Sequence, residues 1–96
     1  MIIRWLDEAV NDLQSLRRYI AQDNDTAAVR VVKQILHSIG LLSEQPAMGR
    51  PGRVANMREL IIANTPYIVP YRVKNNAIEI LRVLHCSMKW PEDLSQ

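Results

Sequence analysis

The sequence is poor in several residue types, and each shortage limits what the chain can be. Among 96 residues there is no Phe, there are three Gly, and there is one cysteine, Cys86. A framework of disulfides within the chain is excluded, because Cys86 has no second cysteine to pair with. No apolar run approaches the roughly 20 residues that a membrane-spanning helix needs. Charges at Arg4, Asp7 and Glu8 interrupt the start of the chain, so we do not expect a secretory signal peptide.

Length and composition predict a single domain over residues 1–96. Hydrophobic residues make up 48% of the chain, and a chain of this size buries enough surface for one core only. A globular domain with a free thiol and no disulfide is expected in the cytoplasm, without a membrane partner.

Charge is distributed unevenly along the sequence. Residues 1–48 contain five Lys and Arg against six Asp and Glu, whereas residues 49–96 contain seven against four, an excess of three positive charges. A basic surface of this kind suits RNA, DNA or an acidic protein partner. The alternative is that solvated arginines keep a small domain soluble.

The first half predicts a short strand followed by a hairpin of two helices. Residues 2–5 are β-prone, and Asp7 after them is a candidate helix N-cap. Apolar residues then recur at helical spacing, at Val10, Leu13, Leu16, Tyr19 and Ile20. Asn24 or Asp25 is predicted to cap a second helix that ends before Pro46. Its apolar stripe comprises Ala28, Val32, Ile35, Ile39 and Leu42, widened by Val31, Leu36 and Leu41.

The second half predicts three strands after a loop at residues 49–52. The β-prone runs cover residues 58–62, 67–73 and 78–86, and the breaks at residues 64–66 and at Asn75-Asn76 predict turns. The expected fold is α+β: an N-terminal β-strand and an antiparallel helix hairpin packed on a three-stranded antiparallel meander. Pro70 lies within the second run and has no N–H, which indicates an edge strand, a bulge or a misplaced strand boundary.

Three arginines on neighbouring strands are candidates for a functional surface. We expect Arg58, Arg72 and Arg82 to converge and to contact a phosphate or a protein, with pairing to Glu59 or Glu79 as the alternative. Arg82 shares its predicted face with aliphatic residues. It must therefore reach the rim, pair with a carboxylate or bind an anionic ligand, because an unpaired buried charge is costly.

Other reactive side chains carry weaker signals. His85 is a candidate acid or base near neutral pH, or simply a half-exposed strand residue. Strand alternation places Cys86 on the opposite face from His85, so the two are not expected to act as a nucleophile pair. Neither a metal nor a cofactor is expected, because no metal-ligand spacing and no phosphate-binding glycine loop is present. Tyr67, Tyr71 and Trp90 would either stack on bases or fill the core and its rim.

Segments spread over nearly the whole chain share their order and spacing with one group of proteins. They are Trp5, Glu8-Ala9, Asp12-Leu13, Tyr19-Ile20-Ala21, Ala27-Ala28, Pro46, Gly49-Arg50, Arg58-Glu59-Leu60, and residues 67–73 and 80–85. From Trp5 to Pro91, the chain resembles the RelE/ParE superfamily, the small toxins of bacterial type II toxin–antitoxin pairs. The fold implied by this resemblance, two helices on an antiparallel sheet, agrees with the predicted elements.

The resemblance implies one of two activities. RelE-like members are ribosome-dependent ribonucleases that cut mRNA, and the matching positions would be Arg58, Arg72 and Arg82 for phosphate and His85 for proton transfer. ParE-like members bind DNA gyrase and trap it. The ending at residues 84–88 and the strand pair at residues 58–60 and 66–69 are more similar to the ParE-like branch. The sequence also departs from the ribonuclease pattern, since no Lys lies between residues 33 and 74 and no Tyr follows residue 71.

The resemblance therefore implies a ParE-like toxin that arrests growth, stabilises a plasmid and inhibits gyrase without being an enzyme. A cognate ParD-like antitoxin would neutralise it in a hetero-oligomer, with an extended or helical segment that covers the helix hairpin and a sheet edge. An mRNA endoribonuclease that acts with the ribosome is the alternative, and a family member without toxicity is the third. The residues expected to bind partners are Arg58, Tyr67, Arg72, Arg82, His85, Met88 and Trp90.

Overall fold

The computed structural model describes residues 1–95 and has the predicted α+β architecture. Its elements are β1 (Ile2–Trp5), α1 (Asp7–Ala21), α2 (Asp25–Leu41), β2 (Arg50–Pro51), β3 (Arg58–Ile61), β4 (Tyr67–Lys74), β5 (Ala77–Ile80) and β6 (Leu84–His85), followed by a 3₁₀ helix at Glu92–Ser95. The sheet order is β1-β5-β4-β3-β2, with β6 beside β4. Within residues 1–95, no helix is long and apolar enough to span a bilayer.

Both helices begin close to where the sequence predicts. In α2 the Asn24 side chain accepts a hydrogen bond from the Ala27 amide at 3.0 Å, so Asn24 is the cap and Asp25 the first helical residue. For α1 the prediction is wrong by one residue. Leu6 occupies the N-cap position without a side-chain cap, and Asp7 lies in the first turn. The Asp7 carboxylate still lies at the positive end of the helix dipole.

The helix hairpin buries narrower stripes than the periodicity predicts. Val10 and Tyr19 in α1 are 37% and 71% exposed, and Leu36 and Leu41 in α2 are exposed as well. Each helix contacts its neighbour on one side and the sheet on another, which leaves the flanks of each stripe in solvent. The core lies between the helices and the sheet, and its buried members are Ala9, Leu16, Val31, Ile35, Ile39, Leu42, Leu60, Ile62, Tyr67, Val69, Tyr71, Ile78, Ile80 and Val83.

The sheet contains the predicted meander and more. β3, β4 and β5 pair antiparallel in sequence order. Asn75 and Asn76 both have positive φ, at 53° and 58°, as a two-residue type I′ hairpin turn requires. β1 is parallel to β5, with Ile3 opposite Ile78. β2 adds a two-residue edge to β3, within the segment that the sequence predicts as loop.

The last predicted strand is interrupted by a β-bulge. Tyr71 pairs with Ile80 and Ile68 pairs with Leu84, so two residues of β4 face the three residues 81–83. The Pro70 carbonyl accepts from the Leu81 amide at 2.9 Å. The N–H and C=O of one residue in an antiparallel strand point to the same side, so the bulge lies where the N–H of Pro70 would otherwise pair. Of the three interpretations of Pro70, the bulge is therefore the one observed.

The bulge changes which side chains share a face. Val83 joins Ile80 in the core, although uniform alternation predicts opposite faces for them. Leu81 packs on the other side of the sheet, with Met57 and Leu94. We call this side the far face, because it is turned away from the helices. The segment after β6 covers part of it through Trp90 and Leu94.

Candidate partner-binding site

Four of the predicted partner-binding residues line one groove between α1 and the β6 segment. The groove has a volume of about 400 Å³, and its walls include Tyr67, Arg82, His85 and Met88. Asp12 and Tyr19 line it from α1, seven residues apart and therefore on the same helix face. The exposed Tyr19 and Met88, which is 50% exposed, form its outer rim.

Arg82 enters this groove because the bulge directs it toward α1. Its Nε donates to Asp12 Oδ2 at 2.7 Å and its Nη2 donates to Asp12 Oδ1 at 3.0 Å. The Val83 amide donates to the same Oδ2 at 2.9 Å, and Glu8 lies 3.5 Å from Arg82 Nη1. A carboxylate partner of Arg82 is thus Asp12, which was not among the predicted partners Glu59 and Glu79. This two-bond pair joins the bulge to the helix.

His85 is held by its neighbours at the end of the groove. Its ring meets the Tyr67 ring edge to face, with centroids 5.8 Å apart. Its Nδ1 accepts from the Ser87 amide at 3.2 Å and lies 2.8 Å from Ser87 Oγ. Because an amide only donates, the neutral ring carries its proton on Nε2. Burial raises the pKa of the Tyr67 hydroxyl, and Tyr19 adds to the shift, so Tyr67 is protonated at neutral pH.

The expected convergence of Arg58, Arg72 and Arg82 is wrong. Arg58 lies beside the loop before β2 and donates to the carbonyl of Gly49 at 2.7 Å. Arg72 lies on the far face, where its Nε donates to Glu79 at 2.7 Å. Side chains of adjacent strand positions point to opposite faces, and the bulge turns Arg82 toward a third neighbour, α1. The pairing of Arg72 with Glu79, proposed above as the alternative, is confirmed.

Glu79 holds two arginines across three neighbouring strands. In addition to Arg72 on β4, Arg4 on β1 donates to its other oxygen at 3.2 Å. Chiefly through the hydrogen bond from Arg72, the pKa of Glu79 is lowered below its ordinary value, against the opposing effect of burial. Arg4 was not among the predicted site residues, since its position beside Glu79 depends on the parallel pairing of β1 with β5.

Glu59 holds a second pair of arginines, also on the far face. Arg50 donates to it at 2.8 Å, and Arg53 Nη2 lies 3.3 Å from its Oε1. Trp90 donates to the same Oε1 at 3.3 Å, and Arg53 lies over the Trp90 ring at 6.0 Å from its centroid. Trp90 is thus on the far face, separate from the groove. Neither Arg50 nor Arg53 was among the predicted site residues, although Arg50 is opposite Glu59 in the β2–β3 register.

Comparison with known proteins decides the family. Residues 3–90 match the family described as the ParE toxin of the type II toxin–antitoxin system parDE. The chain belongs to this family. It is therefore a toxin of type II toxin–antitoxin systems, with an antitoxin as its partner, and its predicted place in the RelE/ParE superfamily is confirmed.

Individual relatives agree with this assignment. The chain is 45% identical over 92 residues to "Putative toxin Y4kP" of Sinorhizobium fredii, covering 96% of this chain and 95% of that protein. It is 34% identical over 79 residues to "Toxin RelE3" of Caulobacter vibrioides, covering 80% and 85%. A chain from the solved structure of the chromosomal ParDE system of P. aeruginosa superposes with a TM-score of 0.79 at 28% identity, covering 88% of this chain and 95% of that one.

Proposed function

We propose that this ParE-family toxin inhibits DNA gyrase by binding it, acts in the cytoplasm, and is neutralised by a ParD-like antitoxin. The match of residues 3–90 to the ParE toxin family carries the choice of gyrase as the target, and the divergence of Arg58, Arg72 and Arg82 counts only against RNA cleavage. A site that cleaves RNA needs cations and a proton-transferring group arranged around one phosphate. The three arginines instead contact a loop, the far face and α1, so a binding role is better supported than catalysis.

The groove has the chemistry of a protein-binding surface. Tyr19 and Met88 are exposed at its rim, and aromatic and Met side chains are enriched where proteins bind each other. The ion pair of Arg82 with Asp12 and the ring contact of His85 with Tyr67 hold its floor in one geometry. We assign this groove to gyrase or to the antitoxin segment that competes with it, and the antitoxin segment would be extended or helical.

A supercoiling assay with purified gyrase tests the proposal. Increasing amounts of the toxin should progressively prevent the conversion of relaxed plasmid to the supercoiled form, and the cognate antitoxin should restore it. Absence of inhibition at every excess of toxin would contradict gyrase as the target. Growth arrest on induction of the toxin, relieved by co-expression of the antitoxin, checks that the chain is toxic at all.

The mRNA endoribonuclease remains a second candidate, because Arg82 and His85 do share one groove. In a translating extract this activity would generate mRNA fragments, and His85→Ala would abolish them while leaving the fold intact. Transcripts that stay intact while growth is arrested would exclude it.

A further inference from the structure

The far face carries a second cluster of charged residues that the proposed function does not use. Five cationic side chains surround two buried carboxylates, those of Glu59 and Glu79, which are 3% and 7% exposed. The cluster therefore has an excess of three positive charges. We call it the arginine face, and its cations are Arg4, Arg50, Arg53, Arg72 and Lys74.

The buried carboxylates orient the arginines without using all their donors. Arg72 donates to Glu79 through Nε, and its two terminal nitrogens make no hydrogen bond within residues 1–95. Arg4 binds the same carboxylate through Nη1 only. Arg50 contacts Glu59 through Nε and Nη2, and its Nη1 does not take part in that pair. Within residues 1–95 these three arginines have no further acceptor in hydrogen-bond range. Guanidinium N–H groups that are held in position and have no acceptor within the protein are well suited to bind phosphate oxygens.

The guanidinium groups are accessible from solvent. The side chains of Arg4, Arg50 and Arg53 are 54%, 58% and 43% exposed, and that of Arg72 is 30% exposed. Lys74 follows Arg72 by two residues on β4 and so points to the same face; it is also exposed and near enough to Glu79 to lower the pKa of that carboxyl. The helix-bearing residues 1–48 have no comparable excess of positive charge.

We propose that the arginine face binds the phosphate backbone of duplex DNA. The charge excess and the arginine donors match a polyanion, and the contacts would be independent of base sequence. A single strand fits less well, since single-strand sites need exposed aromatic rings for base stacking. The aromatic residue of this face, Trp90, already donates to Glu59 and lies under Arg53. The choice of DNA over duplex RNA rests on the proposed function, because DNA is the substrate that gyrase holds.

The test is fluorescence anisotropy with a labelled DNA duplex of about 20 base pairs, without gyrase, over a salt range of roughly 50 to 200 mM. Arg53→Gln combined with Lys74→Gln removes two charges from the arginine face, while Arg50 and Arg72 remain to pair with the buried carboxylates. The matched control is Arg30→Gln combined with Lys33→Gln, which removes two exposed charges from α2. Thermal unfolding by circular dichroism verifies that all proteins are folded.

We expect the wild-type chain to bind two unrelated duplex sequences equally. The variant of the arginine face should bind about tenfold more weakly at low salt. The slope of the logarithm of its binding constant against the logarithm of the salt concentration should be shallower by about 2. Each phosphate that the protein neutralises adds roughly 0.9 to that slope. The α2 control should bind within about twofold of wild type.

Several results would overturn the inference: no salt-dependent binding, an equal loss in both double variants, or tighter binding of single-stranded DNA or duplex RNA than of duplex DNA. Tighter binding of a poly-glutamate peptide at this face would assign it to an acidic protein instead. DNA binding that survives in a protein without gyrase inhibition would contradict only the proposed function. Gyrase inhibition that survives without DNA binding would contradict only this inference.

Discussion

Arg82 and Asp12 are 70 positions apart in the chain and link the bulge to helix α1, with N–O distances of 2.7 and 3.0 Å. The same carboxylate also accepts the Val83 amide. One aspartate therefore satisfies both a side chain and a backbone group of the irregular segment between β5 and β6. Bulges need such partners because they take backbone groups out of the ladder.

Asp12→Ala should destabilise the protein by about 1–3 kcal/mol, because it removes both short bonds of the guanidinium and the acceptor of the Val83 amide. Urea unfolding measures the change. Asp23→Ala, an exposed carboxylate just after α1, is the control and should change the free energy of unfolding by less than about 0.5 kcal/mol. Equal effects of the two substitutions would show that the ion pair contributes nothing specific.

Tyr71→Phe should cost about 1–3 kcal/mol, because one buried and one partly buried backbone group lose their partner. The Tyr71 hydroxyl donates to the Pro46 carbonyl at 2.7 Å and accepts from the Gly49 amide at 2.9 Å, tying the segment after α2 to the fully buried centre of the sheet. Tyr67→Phe is the matched control, since the Tyr67 hydroxyl makes no hydrogen bond within residues 1–95. A loss as large in Tyr67→Phe would contradict this explanation.

The stability contributed by Glu79 should depend on pH. Its pKa in the folded protein is lowered, first by the hydrogen bond from Arg72, from the ordinary value of 4.5. The folded state therefore favours the ionised carboxylate. Its contribution is fully present above pH 4.5 and is lost as the pH falls through the lower folded pKa.

Urea midpoints of wild type and Glu79→Gln, measured between about pH 7 and pH 3, check this expectation. The variant should be less stable at neutral pH, by about 1–3 kcal/mol, and the difference should shrink on acidification below the ordinary glutamate range. Glu44→Gln, which changes an exposed carboxyl outside the sheet, should show neither effect. A constant difference across the pH range would refute the linkage.

Tyr19→Ala combined with Met88→Ala should weaken partner binding without unfolding the protein. Both side chains are exposed, so their removal costs little stability, whereas truncation of interface side chains of this kind commonly costs about 1–4 kcal/mol of binding energy. Isothermal titration with the antitoxin and the supercoiling assay measure the loss. Val29→Ala combined with Leu36→Ala removes exposed apolar groups from α2 and serves as the control in the supercoiling assay. Unchanged affinity in the groove variant would remove the groove as a binding site.

Much of the fold is determined by local sequence. The Asn24 cap and the Asn75-Asn76 turn lie where the sequence predicts them, and both helices form where the apolar periodicity predicts them. Each of these signals acts over a few residues. Their order is enough to specify two helices on a meander. The family resemblance rests on the same order and spacing and is confirmed.

The site depends on relationships that no local pattern contains. A single extra residue in the bulge reverses the faces of the side chains after it, so Val83 is buried and Arg82 reaches Asp12. The pairing of β1 with β5 is parallel, and it alone brings Arg4 to Glu79. The sequence by itself thus determined the elements, their order and the positive charge of the second half. Only the tertiary structure decided which arginines share a surface, because strand register and one bulge set the direction of every side chain in the sheet.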